Sequence, residues 1–154
     1  MVVSEYIYKP LLIDGIKFDL RVYVALTSIN PLRIYIYEDG LARFATGKYN
    51  DKTNSKQAKF THLTNYSLNK FSSNFVENTD ATQDDYGHKW SHAALRKRLK
   101  SMGVDDVLLW RKIEDLIIKT VLSVEPQICN ANEMFCPYPR TNCFELFGFD
   151  VLID

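Results

Sequence analysis

Apolar and polar residues alternate with period two along the early part of the chain and with a helical period along the later part. From Ile16 to Leu26, Phe18, Leu20, Val22 and Val24 fall on one side, and Lys17, Asp19, Arg21 and Tyr23 on the other. That is the signature of a strand. Val2 to Tyr8 is a short β-rich run closed by Pro10. Leu32 to Tyr37 predicts a further strand, with Glu38-Asp39-Gly40 as its hairpin turn and Leu41 to Ala45 as the returning strand. Residues 47–59 read as an exposed loop, Phe60 to Ser67 as a short strand or extended segment, and residues 71–88 as a mobile loop.

Helical spacing begins at Ser91. It can cap a helix with Ala94, Leu95, Leu99 and Met102 as apolar positions, stopped by Gly103. Asp105 or Asp106 can cap a longer helix that buries Leu109, Ile113, Leu116, Ile117, Val121 and Val124 and ends before Pro126. Pro137 and Pro139 mark a turn region. Phe144 to Ile153 reads as a buried strand interrupted by Gly148.

Composition narrows the class. The chain has 154 residues, 46% of them hydrophobic and 25% charged, enough for one buried core and too apolar for wholesale disorder. Formal net charge is zero, from 19 basic and 19 acidic residues, which argues against a general nucleic-acid binder. The halves differ: residues 1–70 carry 10 Lys/Arg and 6 Asp/Glu (net +4), and residues 71–154 carry 9 and 13 (net −4). No run approaches the roughly 18–20 apolar residues of a membrane span. Without a signal-peptide pattern, Cys129, Cys136 and Cys143 read as reduced thiols packed as small hydrophobes, in a soluble intracellular protein. Both ends fall inside apparent strands, so residues 1–154 read as a single partial domain of a larger enzyme.

The candidate chemistry sits on the strands. Lys17, Asp19 and Arg21 project from one strand face, where two cations flanking a carboxylate can hold phosphate oxygens. The same pattern suits a solvated face with cross-strand salt bridges. Arg43 stands among Leu41, Ala42, Phe44 and Ala45. It requires an anionic partner there, unless it snorkels from an edge. Asp150, inside Phe147 to Ile153, is costly unless paired or bound to a hard cation such as Mg²⁺. Glu145 points to the opposite face. His62-Leu63-Thr64-Asn65 offers imidazole, hydroxyl and amide groups, and equally suits a turn. Lys70 and Lys89 flank the polar loop as surface lysines. Zinc is disfavoured: His88 and His92 lack the glutamate of H-E-x-x-H, and no C-x-x-C occurs.

Four blocks, taken together, resemble the tubulin tyrosine ligase-like family, and its polyglutamylase branch in particular. They are Tyr6-Ile7-x-x-Pro10 to Arg21, Gly40-Leu41-Ala42-Arg43-Phe44-Ala45-Thr46, His62-Leu63-Thr64-Asn65-Tyr66-Ser67, and Phe144 to Asp150. Tyr86, Gly87, Lys89 and Trp90, with Glu114 to Thr120, point to the same branch. The resemblance implies an α+β fold, the central and C-terminal portion of an ATP-grasp domain with antiparallel strands and two packed helices. It implies an ATP-dependent ligase that joins free L-glutamate to glutamate side chains of tubulin tails through an acyl phosphate. The expected setting is cytoplasmic microtubules or cilia, with no nucleic acid and no membrane. By the same resemblance Ser4, Glu5, Tyr6 and Ile7 form a hinge strand at the adenine. Lys17, Asp19, Thr64 and Asn65 contact ATP. Arg21 and Arg43 are catalytic, and Arg43, Ser67 and Lys89 hold the donor glutamate. Asp150 ligates Mg²⁺. The family's downstream Glu-x-Asn motif is not in this sequence, so the segment alone is expected to be inactive. Glycine or tyrosine as donor, or a non-catalytic microtubule-binding role, are the rivals.

Overall fold

The computed structural model describes residues 3–50, 58–80, 82–135 and 143–154. In chain order its elements are β1 (Leu12–Ile13), β2 (Ile16–Ile29), β3 (Leu32–Lys48), α1 (Lys59–His62), α2 (Tyr66–Asn69), β4 (Lys89–Ser91), α3 (His92–Ser101), α4 (Asp106–Phe135) and β5 (Glu145–Val151). The fold is α+β. One sheet runs β1-β2-β3-β4, with β5 also paired to β2. β1 and β2 are antiparallel, with Leu12 opposite Lys17, and β3 and β4 are antiparallel, with Arg43 opposite Lys89.

The chain divides into two compact units. One comprises Met1–Arg21, Leu41–Leu95 and Asp150–Asp154, the other Val22–Gly40 and Arg96–Phe149. In the first, Ile13, Phe18, Leu20, Ala42, Phe44, Ala45, Leu95 and Val151 are buried. Phe18 packs on Phe44 and Phe44 on Trp90, at centroid distances of 5.6 and 4.7 Å. In the second, Leu26, Ile29 and Val121 form a cluster flanked by Leu32, Ile34, Ile128, Cys129 and Phe149. The period-two reading of β2 holds on its apolar side: Phe18, Leu20, Val22 and Val24 are all buried.

Helix ends follow their expected chemistry. Ser91 Oγ accepts the Ala94 N–H at 3.1 Å, and Asp105 Oδ1 accepts the Leu108 N–H at 3.0 Å. Gly103 adopts φ +83°, and the Val104 N–H returns to the Leu99 carbonyl. Leu95, Leu99, Ile113, Ile117 and Val121 are buried, whereas Met102, Leu116 and Val124 are exposed.

Six local expectations are corrected. Residues 3–10 form no strand, and Val2 lies outside the described residues. No turn forms at 38–40, because β3 runs straight through it. A two-residue hairpin turn needs left-handed backbone, which neither Asp39 nor Gly40 adopts. The chain reverses at Asn30-Pro31 instead. Residues 60–67 are mostly helical turns rather than extended, since side-chain bonds to local carbonyls compete with any ladder. α4 continues through Pro126 to Phe135: the missing N–H removes one ladder bond, which the turns on either side outweigh. β5 is continuous across Gly148 and largely exposed, with Leu146 at 62%. An apolar run signals a strand without showing what covers it. Cys129 is half-buried and Cys143 exposed, so the cysteines are not uniformly core. Cys136, Pro137 and Pro139 lie outside the described residues, as do 51–57 of the expected loop.

The capping geometry is testable by thermal or urea unfolding of the chain. A Cβ at Gly103 would meet open space, so Gly103→Ala should cost only its backbone term, about 1 kcal/mol. Asp105→Ala should cost about 1 kcal/mol through loss of the cap. A neutral Gly103→Ala would contradict the left-handed termination.

Candidate functional site

Every residue to which the family resemblance assigns a site role lies in the unit formed by Met1–Arg21, Leu41–Leu95 and Asp150–Asp154. Its centre is a buried ion pair. Asp19 on β2 and Arg43 on β3 are 4% and 8% exposed, which rules out both a solvated face and a snorkelling edge cation. Arg43 Nε donates to Asp19 Oδ1 at 3.0 Å, and its Nη2 donates to Oδ2, a two-point guanidinium–carboxylate fork. Asp150, near the end of β5, joins them. Its Oδ1 accepts from Arg21 Nε at 2.7 Å and lies 2.8 Å from Arg43 Nη2. The anion that Arg43 needs is thus two carboxylates, one of them from the far end of the chain.

Electrostatics follow this wiring. The hydrogen bond to Asp19 raises the Arg43 guanidinium above its ordinary value, against the opposing effect of burial. Burial alone would raise the Asp150 carboxyl, but Arg21 and Arg43 outweigh it and hold it below the usual range. Both cationic contacts of Asp150 fall on Oδ1, and its side chain is 42% exposed, so Oδ2 is open to another ligand. Arg21 spends Nε here and keeps its two terminal nitrogens.

Lys17, 5% exposed, takes a different environment. Its ammonium lies 4.8 Å from the Tyr6 ring centroid and 5.9 Å from that of Tyr49, and reaches the Tyr6 hydroxyl at 3.4 Å. Burial lowers its pKa, and the nearby Asp19 opposes that shift. Among the described residues no carboxylate forms an ion pair with it. The site therefore holds three cations (Lys17, Arg21, Arg43) and two carboxylates (Asp19, Asp150), an excess of one positive charge.

The remaining candidates are held by α1, α2 and β4. Ser4, Glu5 and Tyr6 lie on the exposed N-terminal segment and Ile7 is half-buried; none belongs to a strand. Thr64 is buried and Asn65 exposed, in the link between α1 and α2. That link is fixed by Asn69, which sequence reasoning missed. Its buried amide donates to the Leu63 and Asn65 carbonyls and accepts from Thr46 N–H and Oγ1. Nothing in the sequence separates Asn69 from its polar neighbours. Ser67 is exposed on α2, directly after Tyr66, whose ring centroid lies 3.5 Å from Lys89 Nζ. Lys89 is opposite Arg43 in the β3–β4 register, so the two share a sheet face. Lys89 is therefore packed rather than solvated. Tyr49 and the Tyr6 side chain were also missed; the bond from Tyr6 to His62 spans 56 residues of sequence and that to Tyr49 spans 43. Among the described residues, no three His, Cys, Asp or Glu gather as metal ligands. His88 is instead stacked on Phe75, with Nδ1 accepting the Val76 N–H.

Three cations and two carboxylates thus gather on the sheet, with Lys17, Asp19 and Arg43 buried and Arg21 and Asp150 partly open to solvent. The tubulin-tyrosine ligase family matches residues 1–154, and the chain belongs to that family. It is 52% identical over 154 residues to mouse tubulin polyglutamylase TTLL5, covering 12% of that protein. It is 46% identical to mouse tubulin monoglutamylase TTLL4, covering 13%, and 45% identical to Caenorhabditis elegans tubulin polyglutamylase ttll-5, covering 21%. The chain thus spans a small part of the length of these relatives.

The ion pair yields two expected outcomes in denaturant unfolding. Arg43→Met leaves Asp19 buried and unpaired and should cost about 3–5 kcal/mol, while Asp19→Asn/Arg43→Met should recover part of it. Additive single costs would show that the pair is not a unit. Asp150 has a depressed folded-state pKa, so its contribution is present above the unfolded value of about 3.9 and is lost as pH falls through the lower folded value. Below that range, Asp150→Asn and wild type should converge in stability. A gap that widens on acidification would contradict the pairing.

Proposed function

We propose that this chain is the ATP-grasp core of an ATP-dependent ligase that adds L-glutamate to glutamate side chains of tubulin tails at microtubules. The observation that carries the reading is the uncompensated positive charge of a buried site, with Arg21 nitrogens and Asp150 Oδ2 still available. The names of the relatives, tubulin polyglutamylases and a tubulin monoglutamylase, supply the acceptor and the donor amino acid.

The residues fit such a reaction. Backbone groups of Ser4 to Ile7 lie along the adenine, and Lys17 meets phosphate oxygens with a charge that no carboxylate contact cancels. Asp19 keeps Arg43 in place. Thr64 and Asn65 present their hydroxyl and amide to the nucleotide. Arg21 holds the phosphate or carboxylate under attack through its free nitrogens. Arg43 Nη1, which has no carboxylate partner here, holds the donor with Ser67 and Lys89. A single carboxylate oxygen beside phosphates is the donor set that Mg²⁺ accepts, so Asp150 Oδ2 fits as its protein ligand. When bound, Mg²⁺ would neutralise charge on the phosphates during transfer.

The test is donor selection by the full-length protein. Arg43→Lys keeps a cation for Asp19 but loses the fork, so KM for glutamate should rise about tenfold, with a smaller change for ATP. Asp150→Asn should lower turnover while preserving the thermal midpoint. Incorporation of labelled glutamate, glycine and tyrosine into tubulin would be compared. Preference for glycine or tyrosine in the wild type, or unchanged glutamate kinetics in Arg43→Lys, would overturn the assignment.

A further inference from the structure

The reading above uses only the backbone around Tyr6, yet the Tyr6 side chain is where three segments meet. Its phenol oxygen lies 2.6 Å from His62 Nδ1 at the end of α1, 3.4 Å from Lys17 Nζ on β2 and 3.5 Å from the Tyr49 hydroxyl just past β3. Tyr49 braces the group. Its hydroxyl donates to the Tyr8 carbonyl at 3.1 Å, its backbone N–H donates to the Gly15 carbonyl, and its ring meets His62 edge-on at 5.2 Å.

The direction of these bonds follows from donor count. An ammonium can only donate, so the Tyr6 oxygen accepts from Lys17. With His62 as its Nε2–H tautomer, Nδ1 accepts the single phenol proton. The result is a relay from Lys17 N–H to Tyr6 O–H to His62, with two aromatic faces beside the cation. Burial and the contact with Tyr49 raise the Tyr6 pKa, consistent with a phenol that keeps its proton.

We propose that Tyr6 is a positioning residue that, buttressed by His62 and Tyr49, fixes the buried Lys17 ammonium for the anionic ligand of the site. The role goes beyond packing. A lysine has four rotatable carbon–carbon bonds, and burying its charge away from carboxylates leaves its direction set by whatever accepts its protons. Here that acceptor is Tyr6. The inference rests on reading Lys17 as a nucleotide contact, and its test separates the two.

Tyr6→Phe in the full-length protein keeps the ring and removes the oxygen. The Kd for ATP, followed by titration, should rise roughly tenfold, the loss expected of one charge-assisted hydrogen bond, with KM for glutamate unmoved. In a Lys17→Met background the same substitution should change the ATP Kd by less than about twofold, because no ammonium remains to be held. Equal losses in both backgrounds would overturn Lys17 as the target. If Lys17→Met leaves ATP binding unchanged, the nucleotide reading fails and the clasp is judged on lysine chemistry alone. Acylation of Lys17 by an amine reagent, followed by mass spectrometry, should then be about threefold faster in Tyr6→Phe, since losing an acceptor disfavours the charged form. Unchanged labelling would sink the clasp itself.

Discussion

The Asp19–Arg43 pair constrains everything around it. Two charges removed from water cost several kcal/mol each, and only close, two-point geometry with the remaining donors satisfied recovers that cost. Arginine supplies the planar fork that a lysine could not. β2 and β3 must therefore hold their backbones so that the fork meets both carboxylate oxygens of Asp19. Asp150 adds a second acceptor from 107 positions beyond Arg43, and Arg21 closes the group. Two strands and the end of a third are thereby locked by one polar knot inside an apolar setting of Phe18, Leu20, Phe44 and Ala45.

That knot also determines what is left over. With both carboxylates committed to guanidinium groups, Lys17 is buried among Tyr6, Tyr49 and His62 with no ion-pair partner among the described residues. Aromatic faces offset part of the cost of a buried cation without neutralising it. Burial lowers the Lys17 pKa for that reason, and any anion arriving beside it would reverse the shift.

Local patterns were legible where one element decides the outcome. The alternation along β2, the caps at Ser91 and Asp105 and the stop at Gly103 depend on residues a few positions apart, and each formed as the sequence indicated. The four family blocks likewise indicated the family, because each carries its residues on contiguous backbone. Reading failed where distant contacts decide. Asp39-Gly40 has turn chemistry, yet β3 continues because pairing along the sheet outweighs it. Phe60 to Ser67 looked extended because the amide that bends it, Asn69, lies downstream. The partnership of Asp19 with Arg43 was invisible for the same reason: the apolar neighbours of Arg43 showed that it needed a counter-charge, and only the fold could name it.

The division of the chain into two units sharpens this point. β2 enters the site unit at its start, β3 at its finish and β5 at its last residues, and the interacting charges of the ion-pair group fall on those stretches: Asp19, Arg21, Arg43, Asp150. Beyond Arg21 the same strand continues as Val22, Val24 and Leu26, with no further cation or carboxylate until Arg33. A long strand can thus serve two environments because its side chains are independent every second residue, while its backbone ladder is continuous. Chemistry is confined to one end, and the rest of each strand holds the register on which a two-point ion pair depends. A one-residue slip of β3 against β2 would turn Arg43 to the opposite face and strand Asp19 without its partner. Register, more than any single side chain, is what the site requires of the fold.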